Sequence, residues 1–274
     1  MKKVISLVLG LALSIAVCFS MTACSKYNTL EDIKAKGVIT VATSADFPPF
    51  ENLEGDEYVG IDIDIAKEIA KALGVELKIN NMAFDAVITS VQKGQSDLAM
   101  AGLTVNDKRK KSIDFSNNYF GAAQYLIVAK SNTAFDACTS AEEVIAKMKE
   151  VGGKAGAQRG TTGYFWLKGN SAFEFEGFSN ITTSGYTSGT LAAIEVSTGK
   201  ADMVVIDELP AKEIVAANSN DLKLINFSLT EENYAIGMHK GNDELKAAIN
   251  QILADLEESG RLQEIFDAHT QDAE

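Results

Sequence analysis

Apolar residues along the chain form short continuous runs and longer stretches in which they recur every three or four positions. Short runs bounded by turn residues are typical of buried strands, and the longer spacing is typical of amphipathic helices. The runs predict strands at residues 38–42, 75–79, 97–101, 125–129, 154–157, 202–206, 222–227 and 234–239. The longer stretches predict helices at residues 61–73, 84–92, 144–149, 191–197, 210–217, 243–258 and 261–268. Strands that alternate with helices predict the α/β fold class with largely parallel sheets.

The alternation restarts after the strand at residues 125–129, which indicates a second α/β unit. Ser140 followed by Glu143 has the spacing of a capping box, in which each side chain bonds the other residue's backbone N–H. It predicts the start of the helix at residues 144–149. Periodicity does not decide to which unit the last strand and the two C-terminal helices return.

The first residues have the layout of a secretory signal. Lys2 and Lys3 precede an apolar run at residues 4–19, and the small residues Thr22 and Ala23 precede Cys24. The run is short for a transmembrane helix of about 20 residues, so a cleaved signal at residues 1–23 is expected, with an uncleaved anchor as the alternative. We therefore predict an exported protein.

The formal net charge is −13 and the isoelectric point is about 4.7. An acidic surface repels nucleic acid and anionic bilayers, so neither is expected as a direct partner. The net charge does not identify the ligand, because a cleft can carry the opposite sign.

Candidate binding chemistry follows the predicted strand at residues 97–101, within the segment GLTVNDKRKKSIDFSNNYF. Thr104 and Arg109 lie five residues apart, and Gly102 offers free backbone groups. An arginine fork donates two parallel hydrogen bonds to a carboxylate, and the threonine hydroxyl and glycine backbone complete the contacts. Ligand sites in open α/β sheets lie beyond the carboxyl ends of strands. A solvated basic run is the alternative for the neighbouring lysines.

Three more loops follow predicted strands. The segment SADFPPFE, with Ser44 and Phe47, contains two prolines that stiffen it. In QRGTTG, glycine permits close backbone approach and a helix start attracts an anion; an ordinary helix cap is the alternative for its threonines. Asp207 ends the strand of ADMVVID and can accept hydrogen bonds from an ammonium group, whereas Asp202 is expected to be a structural cap. Arg109 and Asp207 together are complementary to a zwitterion.

These segments resemble motifs of the extracellular solute-binding proteins of amino-acid ABC importers. The resemblance covers the segment around Thr104 and Arg109, the PPFE loop, the Q-x-G-T-T motif and the strand that ends at Asp207. It implies a type II periplasmic-binding-protein-like fold with two lobes, each a sheet flanked by helices. Lobe one is expected at residues 38–118 plus 235–268 and lobe two at residues 124–229, with hinges near residues 119–123 and 230–234.

The resemblance also implies roles for single residues. Phe47 stacks on the ligand and Phe84 forms a second aromatic wall, with core packing as the alternative for both. Thr161 and Thr162 grip the ligand carboxylate opposite Arg109. Cys24 resembles the lipid-bearing first residue of bacterial lipoproteins, with Met21 in place of the usual leucine, and residues 24–37 are expected to hold the lipid and tether. With Cys18 removed and Cys24 lipidated, Cys138 has no partner for an intramolecular disulfide.

The expected function is a non-enzymatic receptor on the outer face of a bacterial membrane, or in the periplasm, that closes around a free amino acid and delivers it to an ABC permease. A ligand sensor for a signalling protein and a dehydratase-like enzyme are the alternatives. Relatives that bind cationic or amide side chains often carry an acid at the position of Ser44, and other members carry a lysine at the position of the neutral Gln158, so the prediction favours a polar uncharged amino acid such as glutamine or cystine. Glu51, Asp85 or Glu195 turning toward the pocket would change that. No metal or other cofactor is implied.

Overall fold

The computed structural model describes residues 27–270 of the 274-residue chain. The predicted signal sequence and Cys24 therefore lie outside the described residues. Two five-stranded sheets, each flanked by helices, form two lobes, and a small antiparallel sheet lies at the edge of the first. The strands are β1 (Val38–Thr43), β2 (Asp46–Phe47), β3 (Glu51–Glu54), β4 (Glu57–Val59), β5 (Glu76–Asn81), β6 (Leu98–Ala99), β7 (Ile113–Ala122), β8 (Gln124–Ala129), β9 (Gly153–Gln158), β10 (Ile181–Tyr186), β11 (Met203–Asp207), β12 (Leu222–Ile225) and β13 (Glu232–His239).

The helices follow the predicted positions, with additions. They are α1 (Leu30–Lys36), α2 (Ile61–Leu73), α3 (Phe84–Gln92), α4 (Asp107–Ser112), α5 (Ala141–Val151), α6 (Thr162–Lys168), α7 (Gly189–Ser197), α8 (Glu208–Ala217), α9 (Asp243–Glu258) and α10 (Arg261–Thr270), with a 3₁₀ turn at Ser171–Phe173. In α2 the side chains of Ile61, Ile65 and Ile69 are fully buried. Their spacing of four residues places them on one face of the helix, as the apolar pattern requires.

The first sheet has the strand order β5-β1-β6-β13-β7. Strand β1 runs parallel to β5 and β6, and β13 runs antiparallel to β6 and β7. Helix α9 packs on β7, and α10 packs on α2. The last strand and both C-terminal helices therefore return to the first lobe.

The second sheet has the order β10-β9-β11-β8-β12. Strand β9 runs parallel to β10 and β11, whereas β8 runs antiparallel to β11 and β12. The chain enters this sheet after Ala122 and leaves it after Ile225. In both sheets the parallel strands end toward the space between the lobes, so the loops that follow them meet there.

The predicted hinge segments lie mostly within strands. Ala122 pairs with Glu232, Gly121 with Asn233 and Phe120 with Tyr234, so β7 and β13 run side by side to the edge of the first lobe. The ladder has register shifts at Ala235. Hinge motion at residues 119–123 and 230–234 stays a prediction.

Several elements were not predicted, among them the small strands β2, β3 and β4. Helix α4 forms where a loop was expected, because the Asn106 side chain accepts the Arg109 N–H and caps it. Strands β7 and β10 contain Asn, Ser, Thr and Gly residues that interrupt the apolar pattern. Helix α1 lies inside the expected tether at residues 24–37, and its Ile33 is fully buried. The ordered first lobe therefore begins before residue 38.

The predicted capping box is half wrong. Ser140 caps α5 by accepting the Glu143 N–H. The Glu143 carboxylate accepts the N–H of Thr139, at 2.6 Å, rather than that of Ser140. The reciprocal bond therefore forms one residue earlier than the spacing rule places it.

Gly60 provides a test of the turn into α2. Its φ is +124°, and a Cβ there would overlap the carbonyl oxygen of Phe50. We expect Gly60→Ala to lower the free energy of unfolding by about 2 kcal/mol or more, since backbone strain and a steric clash add. Gly55→Ala is the matched control, because Gly55 also has a positive φ, +62°, but nothing lies within 4 Å of its added Cβ. Equal losses in urea unfolding would contradict the clash.

Candidate functional site

One narrow, largely enclosed cavity lies between the two lobes. The first lobe contributes residues from β2, from the segment after β6 and from α3 and α4, and the second contributes residues at the end of β9, at the start of α6 and at the end of β11. Nine of the ten predicted binding residues line it, namely Phe47, Phe84, Gly102, Thr104, Arg109, Gln158, Thr161, Thr162 and Asp207, together with Ala101. Ser44, the tenth, lies just behind this lining.

Arg109 connects the two lobes. Its Nη1 donates to the Thr104 carbonyl at 2.7 Å in the first lobe, and its Nη2 donates to the Gly160 carbonyl at 3.2 Å in the second. The guanidinium lies 5.4 Å from the centre of the Phe84 ring. A guanidinium has five N–H donors, so three remain after these two bonds for an acceptor in the cavity.

Arg109 is almost fully buried, with 4% of its surface exposed. Burial lowers the pKa of its guanidinium to about 10, and the nearby Glu232 and Asp207 carboxylates oppose that shift. The side chain therefore stays positively charged at neutral pH. Its neighbours Lys110 and Lys111 are exposed, which matches the solvated reading of the lysine run.

Two of the predicted contributions of the first lobe are already satisfied within the protein. The Gly102 amide donates to the Asp62 carboxylate at 2.9 Å, so the expectation that its N–H is free for a ligand was wrong. The Thr104 hydroxyl donates to Glu232 at 2.7 Å and therefore offers a cavity ligand only its acceptor lone pairs. Arg109 is left as the main donor of this lobe.

The two threonines at the start of α6 divide their roles. Thr161 is the N-cap: its hydroxyl donates to the Gln158 carbonyl and accepts the Tyr164 N–H. The Thr162 hydroxyl is buried in the cavity wall and has no hydrogen-bond partner within residues 27–270. Since buried polar atoms are normally paired, Thr162 is suited to donate to an anion, as is the helix N-terminus beside it.

Asp207 ends β11 and lies in a cluster of buried polar groups. Its Oδ1 accepts the Tyr234 hydroxyl at 2.5 Å, a bond between the lobes. Glu232 lies nearby and accepts from Gln124 at 3.0 Å and from the Thr230 hydroxyl at 2.8 Å. Burial first, and the charge of Glu232 second, raise the pKa of Asp207 to about 7. A cationic group in the cavity would favour the ionised form of Asp207.

The two phenylalanines form the apolar walls. Phe47 is buried, and its ring stacks on Phe50 with 6.0 Å between ring centres. A Cβ on Gly102 would come within 2.8 Å of the Phe47 ring, so the glycine allows this aromatic side chain to reach the cavity. Phe84 packs against Arg109 and lines the opposite part. Phe84 thus holds the guanidinium as well as forming a wall.

An acidic side chain that sequence reasoning missed stands at the corner where Ser44 and Gln158 meet. Asp46 Oδ1 accepts from the Ser44 hydroxyl at 3.1 Å and from Gln158 Nε2 at 3.3 Å. Burial raises the pKa of Asp46. Gln158 also donates to the Thr187 carbonyl at 3.0 Å. The neutral side chains of Ser44 and Gln158 therefore meet at an acid that lies two residues after Ser44 in the sequence.

Other missed residues are Gln124, Glu232 and Tyr234. They lie in strands β8 and β13, and their only sequence signal is position: all three fall at or beside the predicted hinges at residues 119–123 and 230–234. Of the other acids considered, Glu195 pairs with Lys200 at 3.4 Å and Asp85 is exposed. Asp202 accepts the Lys154 N–H at 2.7 Å, which confirms its structural role.

Comparison with known proteins decides the family. Residues 39–272 match the bacterial extracellular solute-binding proteins, family 3. The chain belongs to this family. Members are extracellular or periplasmic receptors, and the two-lobe fold that the sequence motifs implied is confirmed.

Two relatives from Bacillus subtilis (strain 168) cover nearly the whole chain. The arginine-binding extracellular protein ArtP is 30% identical over 93% of this chain and 95% of its own length. The ABC transporter glutamine-binding protein GlnH is 30% identical over 97% of this chain and 96% of its own length. This solute-binding protein is therefore similar to receptors for both a cationic and a neutral amino acid.

A solved structure agrees with the fold described above. The amino acid ABC transporter substrate-binding protein AbpA from Streptococcus pneumoniae, bound to L-arginine, is 33% identical. It covers 89% of this chain and 98% of its own, with a TM-score of 0.76. Within residues 27–270 of the solute-binding protein, no helix is long and apolar enough to cross a membrane.

Thr162 gives a direct test of the cavity. We expect Thr162→Val to raise the free energy of unfolding of the unliganded protein by about 1 kcal/mol, since it removes a buried unpaired hydroxyl. The same change should weaken amino-acid binding several-fold in calorimetry.

Thr161→Ala is the matched comparison, and it should lower the free energy of unfolding by about 1 kcal/mol through loss of the helix cap. A Thr162→Val variant with unchanged affinity would show that its hydroxyl does not serve the ligand.

Proposed function

We propose that this protein binds the α-carboxylate and α-ammonium of one free amino acid between its lobes. The observation that carries the proposal is the placement of Arg109 and Asp207 in the same enclosed cavity, one cationic and one anionic. The three free donors of Arg109, the Thr162 hydroxyl and the start of α6 surround the carboxylate. Asp207, together with the lone pairs of Thr104, receives the ammonium group.

The energetic scale of this site fits a receptor. Hydrogen bonds to charged groups contribute about 1.5–3 kcal/mol each. Micromolar binding corresponds to roughly −8 kcal/mol, so several such bonds together with contact between the ligand and Phe47 are needed to offset the entropy of association. Neither wall needs a cofactor to complete these contacts.

Delivery to a membrane permease is the second part of the proposal. Its support is the family membership and the ABC-transporter relative GlnH. Closure of two lobes around a ligand presents a distinct shape to a partner. Lipidation at Cys24, after removal of residues 1–23, would hold the receptor on the membrane surface, facing the outside of the cell or the periplasm.

The ligand's side chain has two candidates. Ser44 and Gln158, which donate hydrogen bonds here, support a polar uncharged side chain such as that of glutamine or cystine. The Asp46 carboxylate supports a cationic side chain, because it is partly buried and forms no ion pair within the described chain. The names of the similar proteins ArtP and AbpA support the cationic candidate, and that of GlnH supports the neutral one.

The enzyme and sensor alternatives have less support. His239 stacks on Tyr27 with 4.1 Å between ring centres, and His269 contacts Asp64 at 2.8 Å, so both histidines of the chain lie away from the cavity. The named relatives are binding proteins. A sensor role would use the same closed lobes with a different partner.

The melting temperature in the presence of each common L-amino acid and cystine tests the function. A ligand at about 100 times its Kd stabilises the folded state by about 2.7 kcal/mol, a shift of several degrees. A response to arginine or lysine selects the cationic candidate, and one to glutamine or cystine selects the neutral candidate. If no amino acid changed the melting temperature of protein that carries no co-purified ligand, the proposal would be overturned.

Arg109→Ala should weaken binding of the responding amino acid roughly 100-fold or more, equivalent to about 3 kcal/mol, because the carboxylate loses its charged donors. Calorimetry measures the affinity, and circular dichroism checks that the variant is folded. Lys110→Ala, one residue further along α4 with an exposed side chain, is the control and should bind like the parent. Retained affinity in Arg109→Ala would exclude the carboxylate clamp.

Binding should depend on pH through Asp207. An ammonium group needs the ionised carboxylate, and the pKa of Asp207 is raised to about 7. Affinity should therefore be constant above that pKa and fall by up to about tenfold for each pH unit below it. Isothermal titrations between pH 5 and 8 measure the profile. The Asp207→Asn variant should bind the amino acid weakly at every pH. If its affinity still varied with pH as the parent's does, another group would be responsible for the titration.

A further inference from the structure

Two carboxyl groups, those of Glu51 and Asp62, lie fully buried behind the wall of the cavity, and the binding contacts described above do not use them. Glu51 begins β3 and Asp62 is in the first turn of α2. Burial of one ionised carboxylate is costly, and burial of two together is more so. Their presence behind a ligand cavity requires a physical explanation.

Asp62 is bonded to two parts of the site. Its Oδ2 accepts the Gly102 N–H at 2.9 Å, and its Oδ1 accepts the Tyr119 hydroxyl at 2.6 Å. Gly102 lies in the cavity wall between β6 and α4, and Tyr119 lies in β7 at the start of a predicted hinge. Asp62 therefore holds the loop that leads to Thr104 and Arg109 against the strand that leaves the lobe.

Glu51, in contrast to Asp62, accepts no hydrogen bond within the described chain. Both of its carboxyl oxygens are buried, and no N–H or O–H in residues 27–270 donates to either. The neighbouring group is the Asp62 carboxyl, and two ionised carboxylates cannot bond because both are acceptors. When Glu51 carries a proton, its O–H can donate to Asp62. The Asp62 carboxylate then accepts three hydrogen bonds, from Gly102, Tyr119 and Glu51.

The surrounding charges favour one proton on the pair. Asp46 and Asp207 lie close enough to Glu51 to repel its ionised form, and no lysine or arginine of the described chain forms an ion pair with Glu51 or Asp62. Burial and these acids raise the pKa of Glu51 well above its usual range, and burial raises that of Asp62 to about 6. Of the two, Glu51 is the member suited to hold the proton, because Asp62 already accepts two hydrogen bonds and Glu51 accepts none from residues 27–270.

We propose that Glu51 and Asp62 form a buried acid pair that shares one proton, and that Asp62 is a positioning residue for the ligand site through its bond to the Gly102 amide. The shared proton limits the pair to one negative charge, which reduces repulsion of a ligand carboxylate. The ionised Asp62 keeps a charge-assisted bond to Gly102, which is stronger than a neutral one. This role rests on the proposed amino-acid binding, whereas the shared proton does not.

Infrared spectroscopy of the unliganded protein tests the shared proton. At neutral pH the Asp207→Asn protein, which lacks the other carboxyl group with a pKa near 7, should show the C=O stretch of a protonated carboxylic acid, and the band should be lost when Glu51→Gln is added. Glu57→Gln, an exposed position on the adjacent strand β4, is the control and should keep the band. An Asp207→Asn spectrum without the band, or a band that survives the added Glu51→Gln change, overturns the acid pair.

Binding of L-arginine and L-glutamine tests the positioning role. Glu51→Gln should change affinity by about threefold or less, because its amide N–H replaces the acid O–H as donor to Asp62. Asp62→Asn should weaken binding roughly tenfold or more, since the charged acceptor of Gly102 is lost. Tyr119→Phe removes the other bond to Asp62 and leaves Gly102 held, so its effect on affinity should be the smaller one.

Comparison with the melting temperatures of the unliganded variants separates positioning from simple stability. A positioning role predicts that Asp62→Asn loses more affinity than Tyr119→Phe even where the two lose similar stability. The positioning role is wrong if the losses in affinity follow the losses in melting temperature. It is also wrong if Glu51→Gln lowers the affinity as much as Asp62→Asn does. A wild-type protein that binds no amino acid in the full panel overturns the proposed function and the positioning role together, while the infrared band still decides the shared proton.

Discussion

The arrangement of the cleft depends on one buried charge, the Arg109 guanidinium. A charge with 4% of its surface exposed needs hydrogen-bond partners and nearby opposite charge. The structure supplies both: carbonyls from each lobe, the face of Phe84, and the fields of Glu232 and Asp207. Because those partners come from both lobes, the same interaction that stabilises the charge also fixes how the lobes face each other.

The acids around the cavity form a graded set. Asp207 has a pKa near 7, that of Asp62 is near 6, and that of Glu51 lies well above its usual range. Burial is the first cause of each shift, and the charges of neighbouring acids and the number of hydrogen-bond donors set the differences among them. Asp62 receives two strong donors, and Glu51 receives none. The lobes therefore carry several carboxyl groups near one ligand site without full negative charge on all of them.

Two of the buried polar side-chain atoms that have no hydrogen-bond partner within residues 27–270 lie in or beside the ligand cavity. The Thr162 hydroxyl lines the cavity, and the carbonyl oxygen of Gln124 lies beside the start of α6. Native proteins satisfy almost all buried polar groups, and exceptions are concentrated at functional sites. The same reasoning separates Thr161 from Thr162, although their side chains are identical. The Thr161 hydroxyl forms the hydrogen bonds of the helix cap, whereas the Thr162 hydroxyl has no partner within residues 27–270 and faces the cavity.

Much of the framework could be predicted from local patterns. Helices α2, α3 and α9 have the predicted boundaries. Neighbouring residues encode the apolar face of a helix and the signals at which it begins and ends, so local sequence is sufficient to predict it. Strands β7 and β10 could not be predicted, since their polar and small residues pair only in the context of the whole sheet. The prediction also placed nine candidate residues around one cavity, because loops after parallel strands converge at one edge.

What the sequence alone determined about this protein is therefore the α/β alternation, the order of the loops and the types of charged groups they carry. The tertiary structure decided which donors remain free. Gly102 donates to Asp62 across 40 residues, Gln124 to Glu232 across 108, and Tyr234 bonds Asp207 across 27. Such bonds depend on packing between distant elements and leave no local periodicity, which is why Asp46, Glu232 and the Glu51–Asp62 pair became visible only in the folded chain.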